Sequence, residues 1–125
     1  MTHTDKIHDE VMKINEAWVE SFNNKDTGAC VDAYAADAKL IASPYGTFNG
    51  IHQIGAFWRP FIESGAADLE YNRVHVSVED GTTALLTAEW TMNLGEGVII
   101  MRKWVKDEQG SWRIEIDHFE TREQF

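Results

Sequence analysis

Trp18-Val-Glu-Ser-Phe22-Asn-Asn-Lys25-Asp26, followed by Tyr34-Ala-Ala-Asp37-Ala38, Lys39-Leu40-Ile41-Ala42, Ser43-Pro44-Tyr45-Gly46 and Phe57-Trp58, is the passage whose reading decides the fold. It reads as the end of one helix, a short second helix, a strand, a Pro/Gly loop and an apolar third helix. Only one long block, residues 67–118, is then left to supply a sheet. Three helices followed by an antiparallel meander predict an α+β layout with the helices on one face. A strongly curved, mainly antiparallel sheet would form a cone with an internal pocket between it and the helices.

On the amino-terminal side, Ile7, Val11, Ile14, Trp18 and Phe22 recur at helical spacing, with Thr2 or Thr4 as cap. Asp26 or Thr27 is expected to cap the second helix, whose apolar stripe is Cys30, Val31 and Tyr34. Asp37 reads as an Asx-type turn into the strand, and residues 43–50 as a hairpin or lid. Ile51, Ile54, Phe57, Trp58 and Phe61 predict the third helix, kinked or thinned by Pro60.

On the carboxyl-terminal side, Leu69 and Tyr71 are out of phase with Val74, Val76 and Val78, which predicts a bulge near Asn72-Arg73. Asp80-Gly81 and Gly95-Glu96-Gly97 read as turns. Ala84, Leu86, Ala88, Trp90 and Met92 share one strand face. Strands are expected over Val98–Val105 and Trp112–His118, with a loop at Asp107–Gly110 between them.

The length of 125 residues suits one domain, 1–125, and 43% hydrophobic residues with five Trp and six Phe supply a packed core. A net charge of −10 argues against nucleic acid as a partner, because phosphate binding needs clustered Lys and Arg. The single Cys30 excludes an internal disulfide and fits a reducing compartment. The first residues lack the apolar run of a secretion signal, and nothing later reads as a membrane span. A cytoplasmic protein with no membrane contact is the expectation. No cofactor or metal is expected: His3, His8, His52, His75 and His118 are scattered without ligand spacing, and no phosphate loop exists. Ser43, His118 and Asp37 supply the residue types of a nucleophilic triad, but without a nucleophile elbow.

The quoted passage, together with Gly50-Ile51, Ile54-Gly-Ala-Phe57-Trp58 and Gly110-Ser-Trp112-Arg-Ile114…Asp117-His118-Phe119, resembles the nuclear transport factor 2-like superfamily. That superfamily includes ketosteroid isomerases, polyketide cyclases (the SnoaL-like proteins) and limonene epoxide hydrolases. The resemblance implies the cystatin-like cone fold and a homodimer through the outer sheet face. Its isomerases carry a catalytic Asp just before the Pro that follows the first strand, where this chain has Ser43. Their oxyanion Tyr corresponds to Trp18, and their protonated Asp to Arg102 or a neighbour. All three positions differ, so isomerisation by that mechanism is not expected.

Two candidates for chemistry follow from strand alternation. His118 shares a face with Trp112, Ile114 and Ile116, which points it toward the cavity as a general acid or base. Its alternative is a core histidine satisfied by a backbone carbonyl or by Asp37. Arg102 alternates in phase with Val98, Ile100 and Trp104, and a guanidinium on that face needs a partner. The alternatives are an ion pair with Glu89 or Glu115, an anionic ligand, or an outward-turned face. Trp18, Tyr34, Tyr45, Phe57, Trp58 and Trp90 either wall an aromatic pocket or pack as plain core, and Tyr45 and Phe48 are candidates for a lid. Ile99, Met101 and Val105 form the apolar outer face expected at a subunit contact. The reading is a small-molecule-binding protein for an apolar or carboxylate-bearing molecule, isomerase-, hydratase- or cyclase-like with His118 as acid/base. The alternative is a non-catalytic ligand-binding or dimerisation domain.

Overall fold

The computed structural model describes residues 3–125; the candidate cap Thr2 lies outside them. The elements run α1 (His3–Asn23), α2 (Thr27–Asp32), β1 (Tyr34–Ser43), β2 (Gly46–Asn49), α3 (Gly50–Glu63), β3 (Glu70–Asp80), β4 (Thr83–Met92), β5 (Gly95–Lys106) and β6 (Trp112–Gln124). All six strands share one sheet in the order β2-β1-β6-β5-β4-β3. The pairing of β1 with β6 is parallel and the rest are antiparallel, so the last strand made lies near the middle of the sheet. The α+β reading with helices on one side stands.

Helix α1 buries Ile7, Val11, Trp18 and Phe22, a stripe that satisfies the helical repeat. Between them the buried position is Asn15, not Ile14, so one polar side chain is carried into the interior. Asp26 caps α2 by accepting from the Ala29 amide at 3.1 Å. Lys25, held at φ +60°, sends its ammonium to the carbonyl oxygens of Ile62 and Ala66. That cation thereby closes the end of α3, where carbonyls lack helical partners.

Two boundaries differ from expectation for identifiable reasons. Tyr34 opens β1 instead of ending α2; its register with β6 then slips before Lys39, which places Asp37 in an irregular strand segment and not a turn. The turn after β4 is Asn93-Leu94, while Gly95 and Gly97 lie inside β5. Those two glycines serve close approach: a Cβ on Gly97 would meet the Trp90 ring at 2.7 Å and lie closer still to the Glu120 carbonyl oxygen. Pro60 sits inside α3, which continues through it to Glu63. The predicted bulge at Asn72-Arg73 is present, with Arg73 at φ +53°. Residues 43–50 form the β1–β2 hairpin.

Two further bulges reset the faces of the central strands. Ile100 is an extra residue relative to both neighbours, since Ile99 pairs with Ala88 and Phe119, and the next registered pairs are Arg102 with Leu86 and Met101 with His118. In β6 the extra residue is Glu115, because Trp104 faces Ile114 while Lys103 faces Ile116. Each insertion flips the alternation beyond it. Ile99, Arg102 and Trp104 therefore point inward on β5, and Asp117 and Phe119 do so on β6. The outer face of β5 carries Ile100, which is 40% exposed, in place of the expected Ile99.

Helix α3 lies over β1 and β2, and α1 over β3 and β4. The core fills the gap, and where the layers diverge it leaves a cavity.

Candidate functional site

Behind the cavity lies a buried polar chain built by three strands and two helices. The Arg102 guanidinium, 1% exposed, donates from Nε to Asp117 Oδ1 at 3.1 Å and from Nη2 to Asp117 Oδ2 at 3.0 Å. Its Nη1 donates to Asn15 Oδ1 at 2.9 Å, which explains the polar interruption in the α1 stripe. Asp117 Oδ2 also accepts from the Tyr34 hydroxyl at 2.6 Å, and Trp58 Nε1 donates to that same hydroxyl at 3.1 Å. Two rings neighbour the charge: the guanidinium carbon stands 4.4 Å from the Trp18 ring centroid and 5.6 Å from that of Tyr71.

Burial opposes the charge on Arg102, but the adjoining Asp117 carboxylate outweighs it and the arginine is held above its ordinary value. Burial, then the Asp117 charge, pushes the Tyr34 phenol well above its usual range. Burial also pushes the Tyr71 phenol up to about 12, against the downward pull of the nearby Arg102 charge. Cys30 is buried beside Trp18, and burial raises its thiol to about 12, which makes it unreactive.

The cavity has a volume of about 320 Å³. Its walls are aromatic: Trp18, Phe57, Trp58, Trp90 and Phe119 line it, with Trp58 and Phe119 stacked at 5.7 Å. Arg102 and Tyr71 supply its deep polar surface, and Tyr45, Leu94, Gln124 and Phe125 surround its mouth. Phe48 stands 4.8 Å from Phe57, packing behind the wall instead of covering the opening.

Among the candidates from sequence, Trp18, Tyr45, Phe57, Trp58, Trp90 and Arg102 are brought together around this space. Tyr34 is not a wall; it is spent on Asp117. The inward placement of His118 is corrected: the Glu115 bulge puts Asp117 and Phe119 inside, so His118 lies on the outer face, between Met101 of β5 and Ile41 of β1. The partner of Arg102 is neither Glu89 nor Glu115, which pair with Arg73 and Lys103 outside. Sequence reading missed Asn15, Tyr71, Asp117 and Phe119. A signal existed for two of them: Ile114, Asp117 and Phe119 keep inward phase only if one residue is skipped, and an inward Arg demands an inward acid.

Among the described residues no three or more His, Cys, Asp or Glu side chains are grouped to hold a metal ion, and no helix is long and apolar enough to cross a membrane.

Residues 15–122 match the model of the SnoaL-like domain family. No curated protein matches the chain in sequence. Among solved structures, an NTF2-like protein of unknown function from Pseudomonas putida KT2440 superposes with a TM-score of 0.83 at 16% identity, covering 93% of this chain and 87% of its own. A protein of unknown function with a cystatin-like fold from Nostoc punctiforme gives 0.78 at 15% identity, with 97% and 93% covered. A ketosteroid isomerase-like protein from Erwinia carotovora gives 0.74 at 14%, with 87% and 91% covered. At such identities the structural likeness speaks for the fold alone, which is that of NTF2-like proteins, and the match over residues 15–122 speaks for descent: the chain belongs to the SnoaL-like domain family.

Proposed function

We propose that this protein binds an apolar, ring-containing small molecule in the cavity, with a neutral oxygen of the ligand facing Tyr71 and Arg102. The observation that carries this reading is how Arg102 is occupied. Of the five N–H groups of a guanidinium, two go to Asp117 and one to Asn15. Asp117 balances its charge, so a ligand carboxylate would enter a site without net positive charge and lose its hydration. A carbonyl or hydroxyl oxygen needs only a donor. Tyr71 lies beside Arg102, with the guanidinium carbon 5.6 Å from its ring centroid, and its O–H is the donor we assign to the ligand. With that phenol raised to about 12, the donor stays protonated at every pH well below that value, and binding should be insensitive to pH there.

Isomerase, hydratase or cyclase chemistry needs a group that takes up a proton. Among the described residues, those lining the cavity include no carboxylate, imidazole, amine or thiol. Binding without proton transfer is the better supported reading. Trp18, Trp58 and Trp90 make the cavity its own fluorescent reporter. Titrated with tetralone and with tetralin, its hydrocarbon counterpart, the protein should prefer the ketone by about tenfold, the upper end of the worth of one neutral hydrogen bond. Tyr71→Phe should erase the preference while leaving tetralin affinity unchanged. Equal affinities in the wild type would overturn the assignment.

A second copy on the outer sheet face is the partner we infer. Ile100 is exposed there, and the half-buried Val98, Met101, Val105 and Ile116 extend an apolar strip from it. Sedimentation is expected to give a dimer that Ile100→Lys converts to monomer; a wild-type monomer would remove the inference.

A further inference from the structure

Three of the four large apolar side chains exposed among the described residues, Tyr45, Leu94 and Phe125, stand at the mouth of the cavity. They come from three separate places: the β1–β2 hairpin turn, the β4–β5 turn and the end of β6. Gln124 and Phe125 tie these places together. The Gln124 amide donates from Nε2 to the Tyr45 hydroxyl at 2.6 Å, and the Phe125 amide donates to the Leu94 carbonyl at 3.0 Å. The Phe125 ring borders the cavity yet is 71% exposed. Deeper in, Trp18, Trp58 and Trp90 are almost wholly buried.

We propose that Gln124 and Phe125 form a strap across the mouth, latched by the Gln124–Tyr45 hydrogen bond, and that molecules enter the cavity when this latch opens. This goes beyond the binding assignment by naming the device that controls its access, and it rests on that reading only for its purpose. The latch suits a gate because it is weak and local. It is one solvent-exposed hydrogen bond between two side chains 79 residues apart, and losing it alters no buried contact. Such a bond shifts an open–closed equilibrium by roughly fivefold. The Phe125 amide stays fixed to Leu94, so opening requires side-chain rotation without dissolution of the strand pairing. Segments of this kind, with few buried contacts, are where local opening concentrates.

Acrylamide quenching of tryptophan fluorescence tests the strap without any ligand, so an unsuccessful search for a ketone leaves the test intact. All five tryptophans are buried, hence quenching reports entry of the small amide into the interior. Gln124→Ala should raise the quenching constant severalfold, up to the roughly fivefold worth of the latch. Tyr45→Phe, which keeps the ring and loses the hydroxyl, should do the same, and the double variant should exceed neither. In a Tyr45→Cys/Gln124→Cys variant bridged by a bis-maleimide, quenching should fall below the wild type; Cys30 is buried with its thiol raised to about 12 and will not compete for the reagent. Quenching unchanged in all four variants would overturn the proposal. So would a rise accompanied by a lowered melting temperature, because that rise would report general loosening.

Discussion

Asp117→Ala is expected to cost about 3–5 kcal/mol of folding stability, since removing one partner of a buried pair leaves the other as an uncompensated charge. The stranded group is Arg102, which would keep Asn15 as acceptor but lose both bonds to the carboxylate. Tyr34 would also lose the acceptor of its 2.6 Å bond. Domains of this size are held together by roughly 5–15 kcal/mol in total, so the variant should sit near the edge of folding. Urea denaturation followed by circular dichroism measures the loss. Asp117→Asn, which keeps an acceptor for Tyr34, should lose less. The paired change Arg102→Met/Asp117→Leu should recover most of the deficit, because well-packed apolar replacements of buried ion pairs are often neutral or better. A loss below about 1 kcal/mol for Asp117→Ala would mean that the arginine finds water or another acceptor.

Gly97→Ala should destabilise by about 1–3 kcal/mol, the usual cost of forcing an extra carbon into a filled space. The neighbours leave little room to relax, because the nearest atom is the backbone oxygen of Glu120 on the paired strand and not the tip of a flexible chain. The added methyl also meets the Trp90 ring, which lines the cavity and donates from Nε1 to the Val98 carbonyl at 3.3 Å. Stability and ligand capacity should therefore fall together. Gly110→Ala is the control for added side-chain volume: nothing lies within 4 Å of its Cβ, although its φ of +80° will add a modest strain of its own. If Gly97→Ala matches wild type in both melting temperature and tetralin titration, the close approach of β5 and β6 is not a constraint.

How much of this was legible in the sequence depends on which physical signal each feature leaves. The helices and the order of strands were readable because α1 repeats its apolar residues every three or four positions and β4 alternates cleanly from Ala84 to Trp90. The bulge at Asn72-Arg73 was readable because polar residues mark the change of phase. The Ile100 bulge left no such mark. Val98-Ile99-Ile100-Met101 is apolar throughout, so alternation has nothing to register against, and the faces of Val98, Ile99 and Ile100 were exchanged. In β6 the mixed run Arg113 to Phe119 hides one extra residue, and the imidazole and the carboxylate traded sides. Arg102 was placed inside for a reason that does not hold, since its supposed neighbour in phase, Ile100, points outward. The pairing of Arg102 with Asp117 joins residues only 15 apart, yet it depends on registers that a single strand cannot reveal.

The central position of β6 has a consequence for how the chain is made. During synthesis the polypeptide presents β1 long before, and β5 just before, the strand that must sit between them. Until residue 117 emerges, Arg102 has no counter-charge and Tyr34 no acceptor, and the exposed edges of both half-sheets are open to other chains. Because the contacts that close it join α1 and β1 to β5 and β6, this folded unit has to wait for its last strand before the interior becomes favourable.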